Sequence, residues 1–162
     1  MVKVVIFDFD LTLFDSSKIK HLMDERQWSM VYKNIDRCSF YPNVLNIINE
    51  LRKKNIYISV VSNAPASYIK KVLKIFNIDI NFLVCYHDVS KHKPNPESIH
   101  KVLKHFSIDK SETFYVGDND IDYKTANNAN INFFGVPWGI FSQEVTIIHY
   151  ENFMNIVKSK KK

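Results

Sequence analysis

Apolar positions along the chain follow two alternating rhythms. Short β-branched or aromatic runs occur at Val2-Lys3-Val4-Val5-Ile6-Phe7, Ile56-Tyr57-Ile58-Ser59-Val60-Val61, Phe82 to Tyr86, Phe114-Tyr115-Val116 and Ile131-Asn132-Phe133-Phe134. Runs of this length and composition predict buried strands. Between them the spacing turns helical. Val44, Leu45, Ile48 and Leu51 fall at i, i+1, i+4, i+7 behind Pro42, and Ile69, Val72, Leu73 and Phe76 repeat the pattern, as do Ile99, Val102, Leu103 and Phe106. These spacings predict three amphipathic helices. Ala126 and Ala129 mark a shorter helix after Asp122, and Val145 to Val157 reads as a less regular final helix. Strands alternating with helices predict βαβ units, right-handed crossovers and a parallel sheet, hence the α/β class. Only Phe14 to Tyr41 breaks the rhythm, a polar, mixed stretch between the first strand and the first clear helix.

Composition narrows the picture. Hydrophobic residues make up 46% and charged residues 24% of 162 residues, which at about 100–200 residues per domain predicts one domain able to bury a core. There are three glycines, where average usage gives roughly eleven. Glycine-rich disorder, collagen and flexible linkers are thereby excluded. Gly117, Gly135 and Gly139 all lie in the last third. Gly117 is expected to allow a tight turn at the end of the fourth strand, and Gly135 and Gly139 to bracket a Val-Pro-Trp turn after the fifth. Net charge is +5, part of it in the terminal run Lys158, Lys160, Lys161 and Lys162. Such a run reads as a solvated tail over 158–162, or as a basic arm for nucleic acid or an anionic surface. Cys38 and Cys85 are isolated, with neither metal-site nor disulfide spacing, which fits a reducing compartment. No stretch has the form of a secretory signal or approaches the ~18 apolar residues of a membrane span. The expected setting is soluble and cytoplasmic.

In parallel sheets ligands bind beyond the carboxyl ends of the strands, so the polar residues after each run are the informative ones. After the first comes Asp8-Phe9-Asp10-Leu11-Thr12. In extended chain the two acids point the same way. Carboxylates that close repel without a cation, and oxygen ligands suit Mg²⁺. After the second comes Ser62-Asn63, offering a hydroxyl and a backbone N–H near a helix N-terminus, an anion site or merely a cap. After the third, Pro94 and Pro96 restrict the backbone around Lys93, a fixed positive charge for a phosphate. After the fourth come Asp118 and, four residues on, Asp122, both able to join Asp8 around one metal, while Asp120 reads as a first-turn helix acid.

Taken together, Asp8-Phe9-Asp10-Leu11-Thr12, Ser62, Lys93-Pro94 and Gly117-Asp118…Asp122 resemble the four motifs of the haloacid dehalogenase (HAD) superfamily, in order and each at a predicted strand end. The second aspartate resembles the phosphatase branch. Lys93-Pro94-Asn95-Pro96 and Gly135-Val136-Pro137-Trp138-Gly139 resemble phosphoglycolate-phosphatase-like members, and Tyr41-Pro42 the small magnesium-dependent phosphatases. The resemblance implies a three-layer, Rossmann-like doubly wound sheet. It also implies a mechanism. Asp8 attacks phosphorus and forms an aspartyl-phosphate. Asp10 protonates the leaving oxygen and then activates water. Thr12 supports Asp10 and the bound phosphate. Ser62, the Asn63 N–H and Lys93 bind phosphoryl oxygens. Mg²⁺ is held by Asp8, the Asp10 backbone carbonyl and Asp118, with Asp122 as an outer ligand or a partner of Lys93.

Members of the superfamily usually carry a cap domain. Here only residues 15–41 are available after the first motif, room for a helix or two. The expectation is a single catalytic domain over 1–157 with a short cap-region insert and an open site. A large substrate or a neighbouring subunit of a homo-oligomer then covers it. Met23, Trp28, Tyr32 and Arg37 are candidates to line the entrance; in the alternative, Trp28, Met30 and Tyr32 only pack the insert onto the core. Three readings follow: a phosphomonoesterase acting on a small metabolite or sugar phosphate, which is favoured; a nucleic-acid end or phosphoprotein phosphatase; and a non-catalytic binding module on the same fold.

Overall fold

The protein is described by a computed structural model over residues 1–159. In chain order its elements are β1 (Val4–Phe7), β2 (Phe14–Asp15), α1 (Lys20–Asp24), α2 (Trp28–Lys33), β3 (Ser39–Phe40) and α3 (Val44–Lys53), then β4 (Tyr57–Val61), α4 (Ala66–Ile75), β5 (Phe82–Val84) and α5 (Glu97–Phe106), and last β6 (Thr113–Asn119), α6 (Asp120–Ala129), β7 (Asn132–Ile140) and α7 (Phe153–Ser159). Five strands form one parallel sheet in the order β5-β4-β1-β6-β7. Alternate side chains of each strand enter opposite cores. Val5, Phe7, Phe114 and Val116 pack with α3, α4 and α7 on one face, while Val4, Ile6, Tyr115 and Val61 pack with α5 and α6 on the other. The result is the three-layer α/β arrangement expected from the alternation.

Strand order positions the site. From central β1 the chain builds β4 and β5 to one side, then returns to build β6 and β7 on the other. The strand order reverses at β1, and a crevice opens beyond the carboxyl ends of the strands on either side of such a point. Phe7 pairs with Val60 of β4 and Val116 of β6. Asp8, Ser62 and Asp118 therefore emerge side by side.

Residues 15–41 form a small appendage. β2 and β3 pair antiparallel, and α1 and α2, five and six residues long, lie between them. Ile19, Val31 and Ile35 anchor it in the core.

Three sequence expectations change. The final helix does not span Val145–Val157: α7 occupies only Phe153–Ser159, behind a 3₁₀ turn at Tyr150–Asn152. The preceding residues are extended, because their backbone pairs with Gly135, whose N–H donates to Thr146 O (2.9 Å) and whose carbonyl accepts from Ile148 N (2.9 Å). There is no Val-Pro-Trp turn either. β7 continues through Pro137 to Ile140 with a shift of register, Gly117 pairing with Gly135 and Asn119 with Ile140, so Val-Pro-Trp forms a bulge in an edge strand, where a proline breaks no interior ladder. Finally, no glycine has positive φ. That conformation is taken at the ends of α3, α4, α5 and α6 by Asn55, Asn77, Ser107 and Asn130 (φ 53–56°). Asparagine tolerates the left-handed region best among non-glycine residues, which explains how helices terminate in a chain so poor in glycine. Of the terminal basic run, Lys158 lies in α7, whereas Lys160, Lys161 and Lys162 lie outside the described residues.

Candidate active site

Asp8 follows β1 directly, and its N–H donates to Val116 O (2.9 Å), fixing it against β6. Asp118 is in the last turnless stretch of β6, and Asp122 lies in the first turn of α6, whose N-cap Asn119 accepts from the N–H groups of Ile121 and Asp122. Ligand oxygens of Asp8, Asp118 and Asp122 come within 4.8 Å of one another, the one such acidic group among the described residues. All three side chains are buried. Lys93, on the loop after β5, reaches into this cluster. Its Nζ donates to Asp8 Oδ1 (2.8 Å), Asp122 Oδ1 (2.6 Å) and the Tyr115 hydroxyl (2.9 Å). Tyr115 in turn donates to Asp122 Oδ1 (2.7 Å), and the Asp118 N–H donates to Asp122 Oδ2 (3.2 Å).

Gly117 and Gly139 make this approach possible. A Cβ on Gly117 would stand 2.4 Å from the Asp122 Cβ, and one on Gly139 would stand 2.6 Å from the Asp118 carbonyl oxygen. Gly117 is therefore required by close packing, not by a turn.

Electrostatics follow from three acids against one lysine. Burial, and then the Asp122 charge, raise Asp8 above the ordinary carboxylate range, with Lys93 opposing. Burial, followed by Asp8 and Asp122, pushes Asp118 up to about 8. Burial also works against the Lys93 charge, but Asp122 and Asp8 outweigh it and hold the ammonium well above its usual range. With every acid ionised the cluster keeps two negative charges that no side chain neutralises. A divalent cation with oxygen ligands fits that deficit and that donor set.

Asp10 stands apart from the cluster, partly buried, its Oδ1 accepting from the Tyr68 hydroxyl of α4 (2.7 Å). Burial pushes it up to about 7, against the hydrogen bond from Tyr68. Burial beside Asp10 holds the Tyr68 phenol well above its usual range, so it remains a donor. Thr12 is wholly buried. Its hydroxyl is 3.1 Å from both Asp8 Oδ2 and Asp118 Oδ1, so it ties those two acids together where the motif had placed it under Asp10. Ser62 Oγ accepts from the Ala64 N–H (3.0 Å), and Asn63 Oδ1 faces the Lys93 N–H (3.4 Å). α4 itself begins at Ala66 behind Pro65, so these two residues form the approach to the helix and not its cap.

Asp8, Asp10, Ser62, Asn63, Lys93, Asp118 and Asp122 all border one cleft of about 510 Å³. Met23, Arg26 and Trp28 of the insert also line it, as do Tyr86 and His87 just after β5. Of the four insert residues weighed for the entrance, Met23 and Trp28 reach the cleft. Tyr32 instead bonds Ser67 (2.7 Å) and Arg37 bonds Asn34 (3.4 Å).

A family model for haloacid dehalogenase-like hydrolases matches residues 16–136. The chain belongs to that family. The matched span includes Ser62, Lys93, Asp118 and Asp122 and begins just past Thr12. Relatives of this chain include pyrophosphatase PpaX from Bacillus velezensis, 31% identical over 113 residues covering 68% of this chain and 52% of that protein. Phosphoglycolate phosphatase from Pasteurella multocida is 29% identical over 101 residues, 61% of this chain and 45% of that one. The chain thus spans about half the length of the curated relatives it matches. Among solved structures, a HAD-superfamily hydrolase of subfamily IA from Geobacter sulfurreducens shares the fold with a TM-score of 0.80, at 20% identity over 96% of this chain and 100% of that one.

Two residues of this HAD-like site escaped the sequence reading. Tyr68 falls on the apolar stripe of α4 beside Ile69, and Tyr115 alternates with apolar neighbours in β6, so both read as core. A hydroxyl aimed inward from a buried face, near a strand end rich in acids, was the available signal. Among the described residues, no helix is long and apolar enough to cross a membrane.

Proposed function

We propose that residues 1–157 form one catalytic domain of a Mg²⁺-dependent phosphomonoester hydrolase, with residues 15–41 as a short insert beside the site. The observation that carries this reading is the Asp8–Lys93–Asp122 arrangement next to Asp118, at the carboxyl end of the central strand and open to a cleft. Asp8, the Asp10 carbonyl and Asp118 would hold the cation, which when bound neutralises negative charge on the acids and on a phosphate. Both oxygens of Asp122 already accept hydrogen bonds. That favours a role as the partner that aims Lys93.

The chain's own groups supply the rest. An Asp8 oxygen attacks phosphorus in line, the P–O bond to the leaving group breaks, and an aspartyl-phosphate forms. Asp10 gives its proton to the departing oxygen and then takes one from the attacking water. Lys93, Ser62 and the Asn63 N–H orient the phosphoryl oxygens, and Thr12 keeps Asp8 and Asp118 in register. A cleft of about 510 Å³ suits a small phosphorylated metabolite, within the usual range of roughly 300–1,000 Å³ for such sites. The names of the relatives point to the same size of substrate. Two buried free cysteines support a cytoplasmic setting.

The direct test is phosphate release from a panel of small phosphate esters, nucleotides, phosphopeptides and end-phosphorylated oligonucleotides, with Mg²⁺ or EDTA. Turnover of small esters that EDTA abolishes is expected. Selective turnover of the macromolecular substrates would overturn the substrate class.

A further inference from the structure

Tyr68 lies outside the acidic cluster yet touches the reacting machinery. It is completely buried, and its ring meets Phe9 edge-on (centroids 6.2 Å apart) and Trp28 at a tilt (5.9 Å). Phe9 belongs to the loop that carries Asp8 and Asp10, and Trp28 to the insert that walls the cleft. Packed this way the phenol donates to Asp10 Oδ1 at 2.7 Å.

We propose that Tyr68 is the positioning residue for the proton transfer at Asp10, and this rests on the phosphatase reading above. With Oδ1 occupied by the phenol, a protonated Asp10 carries its hydrogen on Oδ2 and offers it to the cleft. As Asp8 forms its bond to phosphorus and the bond to the leaving oxygen breaks, the Oδ2 proton passes to that oxygen and an alcohol departs. The new carboxylate then accepts a charge-assisted hydrogen bond from Tyr68, stronger than the bond made to the neutral acid. Tyr68 thereby favours the transition state over the ground state, which is what raises a rate. Because the same ring rests on Trp28, the insert contributes to the orientation of Asp10 through Tyr68.

The test compares two leaving groups in Tyr68→Phe, a change that removes one oxygen and keeps the ring. An alkyl phosphate needs its leaving oxygen protonated, whereas p-nitrophenyl phosphate releases a stable phenolate. Values of kcat/KM report the steps up to the aspartyl-phosphate. For the alkyl ester kcat/KM is expected to fall about tenfold or more, a part of the roughly 10²–10⁴ that general acid catalysis supplies. For p-nitrophenyl phosphate it is expected to change by less than about threefold, since there is little protonation to lose. An equal loss with both esters would make Tyr68 merely structural, and no loss with either would make it idle; each overturns the inference. The two readings fail separately. If the wild type with Mg²⁺ turns over neither ester, or Asp8→Asn matches it, the phosphatase assignment falls and takes this inference with it.

Discussion

Lys93 and Asp122, 29 residues apart in sequence, meet at 2.6 Å with side chains 6% and 1% exposed. Lys93 also bonds Asp8, so one ammonium links the proposed nucleophile to an acid whose oxygens are otherwise saturated by Tyr115 and the Asp118 N–H. Charges this deeply buried persist only when paired.

Removing the lysine should therefore harm folding as well as chemistry. Lys93→Met is expected to cost about 3–5 kcal/mol, the usual cost of stripping one partner from a buried pair. Activity should drop to background. The double variant Lys93→Met/Asp122→Asn should be less destabilised than the sum of the two single variants, because the residues share one network. Urea titrations of the four proteins measure the coupling, and strict additivity would show that the pair does not act as a unit.

Metal and protons should compete for the Asp8 and Asp118 carboxylates. Asp8, Asp10 and Asp118 all titrate above their ordinary range in the folded chain, Asp10 at about 7 and Asp118 at about 8. An acid raised on folding gives stability that is complete below its unfolded value, near 3.8, and that is lost as pH climbs through the folded value. The contribution of these groups thus declines between about pH 4 and pH 8. In EDTA the melting temperature is expected to fall from pH 5.5 to pH 8.5. Mg²⁺ should raise it, and more at pH 8.5, where it need displace no proton. Thermal scans at the two pH values check this; an equal or larger Mg²⁺ shift at pH 5.5 would count against the acidic cluster as the metal site.

Gly117 provides a geometric test. An alanine Cβ there would overlap the Asp122 side chain, and overpacking of this kind costs about 1–3 kcal/mol. Because the displaced group is Asp122, which aims Lys93, Gly117→Ala should lose at least about tenfold in kcat/KM; a 1 Å displacement can cost on the order of a hundredfold. Steady-state kinetics on the folded variant decide. Normal turnover would show that Asp122 can move without consequence.

Much of this was legible in the sequence. The apolar runs marked all five sheet strands, and the acids and Lys93 after them converge on one cleft. Legibility failed where tertiary contacts override local pattern. Val145 to Ile148 carry apolar spacing, but Thr146 and Ile148 bond their backbone to Gly135 at the free edge of β7 in place of a helix. Gly117 and Gly139 read as turn residues because glycine most often serves turns, whereas here Gly117 clears space for the Asp122 side chain and Gly139 for the Asp118 carbonyl. Thr12 followed the motif to Asp10, yet the loop is folded so that Phe9 O accepts from three successive N–H groups, which swings the hydroxyl to Asp8 and Asp118. Tyr68 and Tyr115 were indistinguishable from core by pattern alone.

The central claim is that Asp8 takes the phosphoryl group. Rapid-quench mixing with a ³²P-labelled phosphate ester and Mg²⁺, followed by peptide mapping, measures it most directly. A hydroxylamine-sensitive label on the Asp8 peptide within the first turnover is expected, and Asp8→Asn should carry none. Phosphate released at the full rate without label on Asp8, or with Asp8 replaced, would contradict the account.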